Sequence, residues 1–416
     1  MTVTRATAGR NNRETSPLYG CSHKVQNGLS VMPTSFPTPQ ESPSGAPTGP
    51  ILSSFNRDHN APKITATVAV VTAASLAVTA CSVADDDGSS GSDLKKVTLQ
   101  TSWVPLVQFG GSYIADHEGY YKDNGVDVDI RPGGPDVDAM SAVVSGQADI
   151  GMGNADTVAH ANEEGADLVI VAAGFQKNPL SLLSSPDKPI SSPKDMEGKR
   201  IGVPSGDEAA QESLLAHNNV DASKVTTVPA SFDIAPLTSG EVDGLWVFYA
   251  EQPVSYLEAT GHEGNVMMTS DFGFDVYSQV YAVKRDTLKD DGKREGITDF
   301  LKGEIHGWQD YVSNPSEAVD LTVNDYAKDS GLSAENQTEQ AKRQMDLLVT
   351  PDTKKLGLLQ MTDEGIDRNV RSLSDLGING VSKEMFDTSV LKDAYADAST
   401  TATGQADATT TEENAA

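Results

Sequence analysis

The sequence predicts an α/β protein built as two lobes with a cleft between them, and three observations carry that prediction. Strand-like and helix-like patterns alternate at βαβ spacing beyond residue 94, and one strand-like run is apolar without interruption. The pattern restarts near Ser192 and returns to the first set near Val276. With 416 residues and 38% hydrophobic content, the chain can bury one large core or two modest ones.

The elements follow in order. Val97-Thr98-Leu99 opens a strand that ends in the loop from Trp103 to Phe109, and a helix is predicted at about 111–118, where Gly119 can close it at positive φ. Asn124-Gly125 turns the chain into Val126-Asp127-Val128-Asp129-Ile130, a strand of period two. After Gly133-Gly134-Pro135-Asp136 comes a helix with Val137, Met140, Val143 and Val144 on one side, ended by Gly146. A third strand spans 148–152, and Asn154 or Asp156 caps the helix after it. The apolar run 168–173 suits a parallel strand covered on both faces. A mainly parallel sheet is therefore expected, with ligand loops beyond the carboxyl ends of its strands. In the second set, Arg200-Ile201-Gly202-Val203 is a strand, Ser205-Gly206-Asp207 opens a helix, and further strands fall at 225–228, 242–249 and 266–268. The strand at 276–283 and the helix-rich stretch to 397 return to the first lobe. Lobe 1 is thus expected at 94–190 plus 276–397 and lobe 2 at 191–275, with two crossings as a hinge.

The formal net charge of −29 argues against nucleic acid, whose phosphates demand a basic face, and otherwise reports solubility. Two cysteines, Cys21 and Cys81, leave no thiol beyond residue 81, which removes disulfides, cysteine-ligated metals and thiol nucleophiles from the body. The uncharged stretch 64–80, preceded by Arg57 and Lys63, ends in small residues, as secretory signals do, and its Ala/Thr content suits a permanent membrane span poorly. Val78-Thr79-Ala80-Cys81 resembles the bacterial lipobox, which implies that Cys81 is lipidated and becomes the first mature residue. Residues 1–80 then form a leader and 81–93 an acidic tether, while the Thr/Ala/acid-rich stretch 398–416 is expected to be a disordered tail. The Pro/Ser/Thr-rich stretch 1–56 is long for a signal n-region; it is a removed extension, or translation starts later, for example at Met32 or near Leu52.

Six segments in order carry a resemblance: TSWVPLVQFGGSYIADHEGYYKDNGVDVDIRPGGPDV, SGQADIGMGNADT, FQKNPLSLL, SPKDMEGKRIGV, ASFDIAPL and EVDGLWVFYAEQP. From about Leu99 to Asp397 the chain resembles the NMT1/THI5-like solute receptors, relatives of the nitrate, sulfonate and taurine receptors of ABC transporters. The resemblance implies the two-lobed, type II periplasmic-binding-protein-like fold closing on ligand at the cleft. It implies a pyrimidine precursor of thiamine, another aromatic heterocycle or a small anion as ligand. The eukaryotic branch makes the pyrimidine itself and carries a cysteine-rich signature that is absent here.

Candidate ligand contacts come from the loops. Trp103, Gln108 and Phe109 follow the first strand, where an indole against a planar ring adds about 0.5–1.5 kcal/mol beyond burial; core packing is the other role for Trp103. Tyr113 lies one helical turn further on. Asn154 and Asp156 offer an amide and a carboxylate for ring nitrogens or an exocyclic amine, or serve only as caps. Gln176 belongs to the QKNP run of the resemblance. Ser205 and Gly206 precede a helix whose free N–H groups suit a polar or anionic group. Alternation sends Trp246 and Phe248 to one face and Val247 and Tyr249 to the other, so one pair meets ligand and the other is core. Glu251 favours an aminopyrimidine and repels nitrate or sulfonate, the nearest candidate cation being Lys177.

His117, His160, His217, His262 and His306 show no metal-ligand spacing, and Gly133-Gly134-Pro135 lacks the Lys-Ser/Thr of a phosphate loop. No cofactor, metal or catalytic residue is therefore expected. The expected function is a monomeric, lipid-anchored receptor on the outer face of the cell membrane, passing a small aromatic heterocycle to an ABC permease and its ATPase. A receptor for a small anion, a pyrimidine-synthesising or hydrolytic enzyme, and a sensory or adhesive lipoprotein are the alternatives.

Overall fold

The computed structural model describes residues 94–397. The leader 1–80, Cys81, the tether 81–93 and the tail 398–416 lie outside the described residues. Ten strands form two five-stranded sheets among those described. The first sheet holds β1 (Lys95–Gln100), β2 (Val126–Arg131), β3 (Ile150–Gly153) and β4 (Leu168–Phe175). The second holds β5 (Leu180–Ser184), β6 (Arg200–Pro204), β7 (Thr226–Ala230), β8 (Gly244–Phe248) and β9 (Asn265–Met268), after which β10 (Ser278–Lys284) rejoins the first.

Strand order is β2-β1-β3-β10-β4 in one sheet and β7-β6-β8-β5-β9 in the other. β1 pairs in parallel with β2 and β3, and β6 with β7 and β8. In each sheet the fourth strand runs antiparallel to both neighbours, β10 between β3 and β4 and β5 between β8 and β9. The expectation for residues 168–173 needs correction here. β4 is buried along its whole length, but its ladder partner is the antiparallel β10. Burial on both faces fixes apolar content and does not choose strand direction. Strand β5 has no forecast in the sequence, since LSLLS carries two serines three positions apart, which breaks the two-residue alternation of a strand. Ser181 and Ser184 are nonetheless buried, Ser181 Oγ donating to the Pro179 carbonyl and Ser184 Oγ accepting from Ile190 N–H. β5 thus pairs in the second sheet although it lies inside the 94–190 range.

The helices are α1 (Gly110–His117), α2 (Tyr120–Asp123), α3 (Ala139–Ser145), α4 (Ala155–Glu163), α5 (Glu208–His217), α6 (Ala235–Thr238) and α7 (Gln252–Thr260). A carboxy-terminal set follows: α8 (Asp291–Ser313), α9 (Pro315–Leu321), α10 (Ala334–Leu348), α11 (Pro351–Leu356), α12 (Asp363–Asp375) and α13 (Ser389–Asp397). Asp138 caps α3 by accepting from the N–H groups of Met140 and Ser141, and Gly146 ends it in the left-handed region. Of the four residues assigned to one side of this helix, Met140 and Val143 are buried; Val144 is exposed and Val137 precedes the first turn. No helix among the described residues is long and apolar enough to cross a membrane.

The core of the first sheet is built around the crossing of α1 and α8. An added Cβ at Gly307 would lie 2.1 Å from the carbonyl oxygen of Gly111, and one at Gly111 would lie 2.1 Å from Trp308. Backbone contact this close brings Glu304 inside, fully buried. Its carboxyl group accepts from Ser112 Oγ at 3.1 Å, Tyr121 Oη at 2.5 Å, Tyr281 Oη at 2.7 Å and Trp308 Nε1 at 2.8 Å. Burial raises the Glu304 pKa, and the four donors oppose that rise. Gly307→Ala cannot be absorbed by a side-chain movement, because the obstructing atom is backbone. We expect it to cost at least about 3 kcal/mol in urea-induced unfolding, against under about 1 kcal/mol for Gly292→Ala on the first turn of the same helix, whose added Cβ meets nothing nearer than Asp290 Oδ1 at 3.5 Å.

Candidate functional site

A cavity of about 390 Å³ opens at the carboxyl ends of the parallel strands, lined from both sheets. From the first sheet come Ser102, Trp103 and Gln108 after β1, Asp138 and Met140 at the start of α3, and Met152 to Asn154 and Thr157 at the β3–α4 junction. Opposite them stand Phe232 after β7, Phe248 at the end of β8 and Glu251 just beyond it. Trp103 and Phe232 meet edge to face across the opening, ring centres 6.4 Å apart and planes at 75°. Phe248 touches Phe175 of the first sheet, centres 6.2 Å apart. The lining is mostly apolar, with a few polar groups that can fix orientation, the usual make-up of a small-molecule site.

Five of the sequence-derived candidates meet here: Trp103, Gln108, Asn154, Phe248 and Glu251. The others lie elsewhere. Phe109 and Tyr113 are core residues of the first sheet; Tyr113 stacks on Tyr326 with ring centres 3.8 Å apart, and the one-turn spacing that suggested a ligand contact points inward instead. Gln176 is buried with Nε2 donating to the Ala173 carbonyl at 2.8 Å, closing its own turn. Trp246 is fully buried and donates from Nε1 to Gln211 Oε1 at 3.0 Å. Alternation correctly puts Trp246 and Phe248 on one side of β8, yet only Phe248, at the strand's end, reaches the opening. Tyr249 turns out of the sheet and donates to Asp346 Oδ2 on α10 at 2.9 Å. Ser205 is exposed and outside the cavity lining, and the Gly206 N–H beside it is taken by Glu208 Oε2 at 2.8 Å. Lys177 is exposed and away from the cavity lining.

Asn154 takes both roles foreseen for the pair, helix cap and cavity lining, and Asp156 takes neither. Asn154 occupies the N-cap of α4, with its backbone N–H donating to Thr157 Oγ1 at 3.1 Å while its side-chain oxygen accepts from Ser278 Oγ. Asp156 accepts from the Thr157 N–H at 2.9 Å and stays outside the lining. Sequence reasoning missed Phe232, Asp138 and the two methionines. Phe232 sits in ASFDIAPL and Asp138 in PGGPDV, both parts of the resemblance, so a signal existed. Met140 and Met152 look like ordinary core positions until the cavity beside them is seen.

The electrostatics are one-sided. No Lys, Arg or His lines the cavity, and two acids do. Burial pushes Glu251 up to about 7, against a single weak contact in which Gln252 Nε2 donates at 3.4 Å. Asp138 is pushed up by burial too, but the hydrogen bonds from Ser141 and Met140 outweigh that and hold it low. Flanking the site, burial with the charges of Asp156 and Glu208 lifts Asp207 to about 7, and burial raises Asp156. Among the described residues no group of three or more His, Cys, Asp or Glu could hold a metal.

Comparison with known proteins fits this architecture. The family described as NMT1/THI5 like matches residues 107–318. A riboflavin-binding protein of Chloroflexus aurantiacus is 24% identical over 235 residues, 55% of this chain and 66% of that protein, just under two thirds of its length. A formylaminopyrimidine-binding protein of Halalkalibacterium halodurans is 23% identical over 235 residues, 55% of this chain and 70% of the relative. A 4-amino-5-hydroxymethyl-2-methylpyrimidine phosphate synthase of Schizosaccharomyces pombe is 26% identical over 152 residues, 36% of this chain and 44% of the synthase. In structure, the periplasmic aliphatic sulphonate binding protein of Escherichia coli superposes with a TM-score of 0.52 at 15% identity, covering 70% of this chain and 95% of the other. With two sheets joined by two crossings, an aromatic cavity at their facing ends and a matching span of 107–318, the chain belongs to the NMT1/THI5-like family on a periplasmic-binding-protein fold.

Proposed function

We propose that the protein is an extracytoplasmic receptor that binds a small aromatic heterocycle bearing a pyrimidine ring and delivers it to the permease and ATPase of an ABC importer. The observation that carries this reading is the pairing of Trp103, Phe232 and Phe248 with Glu251 in one cavity free of cationic side chains. A planar ring gains contact with three aromatic side chains, while Glu251, with a pKa of about 7, can donate or accept at the ring edge. Nitrate or a sulfonate brings a negative charge to a wall holding two acids, and finds no Lys or Arg there to offset it. The relatives that bind riboflavin and formylaminopyrimidine support the same ligand class, since both compounds contain a pyrimidine ring. An enzymatic role has weaker support: no nucleophile with an adjacent base lines the cavity, and no thiol follows Cys81.

A thermal-shift screen of the full chain against aminopyrimidines, riboflavin, taurine and nitrate tests the proposal. At a hundred times its dissociation constant a ligand adds about 2.7 kcal/mol, a rise of several degrees in Tm. Aminopyrimidines or riboflavin should raise Tm, with Trp103→Ala and Glu251→Ala each weakening binding about tenfold. A shift with taurine or nitrate alone would refute the aromatic reading.

The raised Glu251 pKa has a second consequence. A carboxyl group that titrates near 7 when folded and near 4.5 when unfolded binds its proton more tightly in the native state. Its contribution is complete below the unfolded value and disappears as pH rises through about 7. Ligand-free protein should therefore lose stability between pH 5 and pH 8, and Glu251→Gln should remove part of that slope, on the order of 1 kcal/mol because the cavity opens to water. Equal slopes in the two proteins would exclude a raised pKa at this position.

Lipid anchoring at Cys81 belongs to the same proposal. Cys81→Ser should move the protein from the membrane fraction to the soluble fraction of the producing cell, and unchanged fractionation would dismiss the anchor.

A further inference from the structure

Strand β10 contains one residue in a conformation that side chains rarely adopt inside a sheet. Gln279 has φ +51°, between Ser278 and Val280, whose partners on β4 are Phe175 and Ala173. The residue is almost fully buried. Left-handed geometry at a non-glycine position persists only where the surroundings over-determine it.

Two features fix Gln279 there. Gly174 stands opposite on β4, where an added Cβ would come within 3.2 Å of the Gln279 carbonyl oxygen and 3.3 Å of its Oε1. The amide Nε2 meanwhile donates to the carbonyl of Gln108 at 2.5 Å. Gln108 lies in the tight turn Val107–Phe109 and lines the cavity. A second amide holds the same turn, Gln337 Oε1 on α10 accepting from Val107 N–H at 2.8 Å. Gln279 Oε1 is buried without a hydrogen-bond partner, so the side chain leaves one end unsatisfied while the other bears on Gln108. Its neighbours act on the same wall: the Tyr277 carbonyl accepts from Ala155 N–H at 3.0 Å, and Ser278 Oγ donates to Asn154.

We propose that Gln279 is a positioning residue for the ligand cavity, its strained backbone directing an amide onto the Gln108 turn that a relaxed strand residue would point elsewhere. This rests on the reading of the cavity as the binding site. Gln279→Met in the full chain keeps length and apolar bulk while removing both the donor and the unpaired oxygen. It should fold with Tm close to wild type. Backbone amides of residues 103–109 should exchange hydrogen at least several-fold faster, and riboflavin or the aminopyrimidine that binds the wild type should bind about tenfold more weakly. Gln279→Gly and Gln279→Ala both lack the amide, but only Ala keeps the Cβ strain, so the Gly variant should melt about 2–4 °C higher. Unchanged exchange in Gln279→Met, unchanged affinity where the wild type binds, or an Ala variant melting at or above the Gly variant would each overturn the proposal. A wild type that binds none of the compounds would sink the receptor reading, and the exchange and melting results would then judge Gln279 on their own.

Discussion

The arrangement depends on an exchange of strands between the two sheets. β5 leaves the first set to run antiparallel inside the second sheet, and β10 leaves the second set to run antiparallel inside the first. Each sheet therefore contains, next to its edge, a strand whose chain has just come from the other. The two connections are bonded to one another: Asn178 N–H donates to Asp275 Oδ1 at 3.2 Å, and Asp275 in turn pairs with Arg368 of α12 at 3.0 Å. A cavity at the facing ends of the sheets inherits its geometry from these strands. The Leu180 carbonyl at the start of β5 accepts from Thr269 Oγ1, while residues 277–279 at the start of β10 hold the turns that carry Asn154 and Gln108.

A further set of contacts spans the second sheet and the carboxy-terminal helices. α10 carries Asn336, Arg343 and Asp346, which bond Glu258, Glu263 and Tyr249. These partners are exposed or half-buried, so each pair contributes little to stability. Apolar packing joins the halves as well: Ile170 and Val280 of the first sheet share one buried cluster with Ile201 and Trp246 of the second.

Much of this was legible in the sequence, and the failures have physical causes. Elements with one dominant period, such as Val126–Arg131 and the apolar run in Leu168–Phe175, were readable because burial dictates residue type. β5 was not, since its buried serines are satisfied by partners up to 87 positions away, as in the contact of Ser181 with Met268. The direction of β10 was hidden for a similar reason, because antiparallel and parallel neighbours bury the same side chains. At the site, the loops following β1 and β3 could be located from strand ends, which recovered Trp103, Gln108 and Asn154. What failed was the choice of which aromatic residue faces inward. Phe109, Tyr113 and Trp246 are fully or nearly fully buried, and they differ from Trp103 and Phe248 by tertiary position alone.

The acid-rich cavity also constrains ligand chemistry more tightly than its aromatic walls do. Rings accept almost any planar partner, so stacking sets the class and not the member. A carboxyl group titrating near 7 is different, because around neutral pH it exists in both forms: protonated it presents a donor beside an acceptor, and ionised it presents two acceptors. A ring nitrogen next to an exocyclic amine offers the complementary acceptor and donor to the protonated form, and after taking up the proton it offers two donors to the ionised form. Such an edge stays paired whichever partner holds the proton. A sulfonate offers acceptors only and stays paired with neither form completely. On the proposed reading, Glu251, placed without a cation in a mostly apolar pocket, would select for ligands that can exchange a proton with it, a requirement that aminopyrimidines meet.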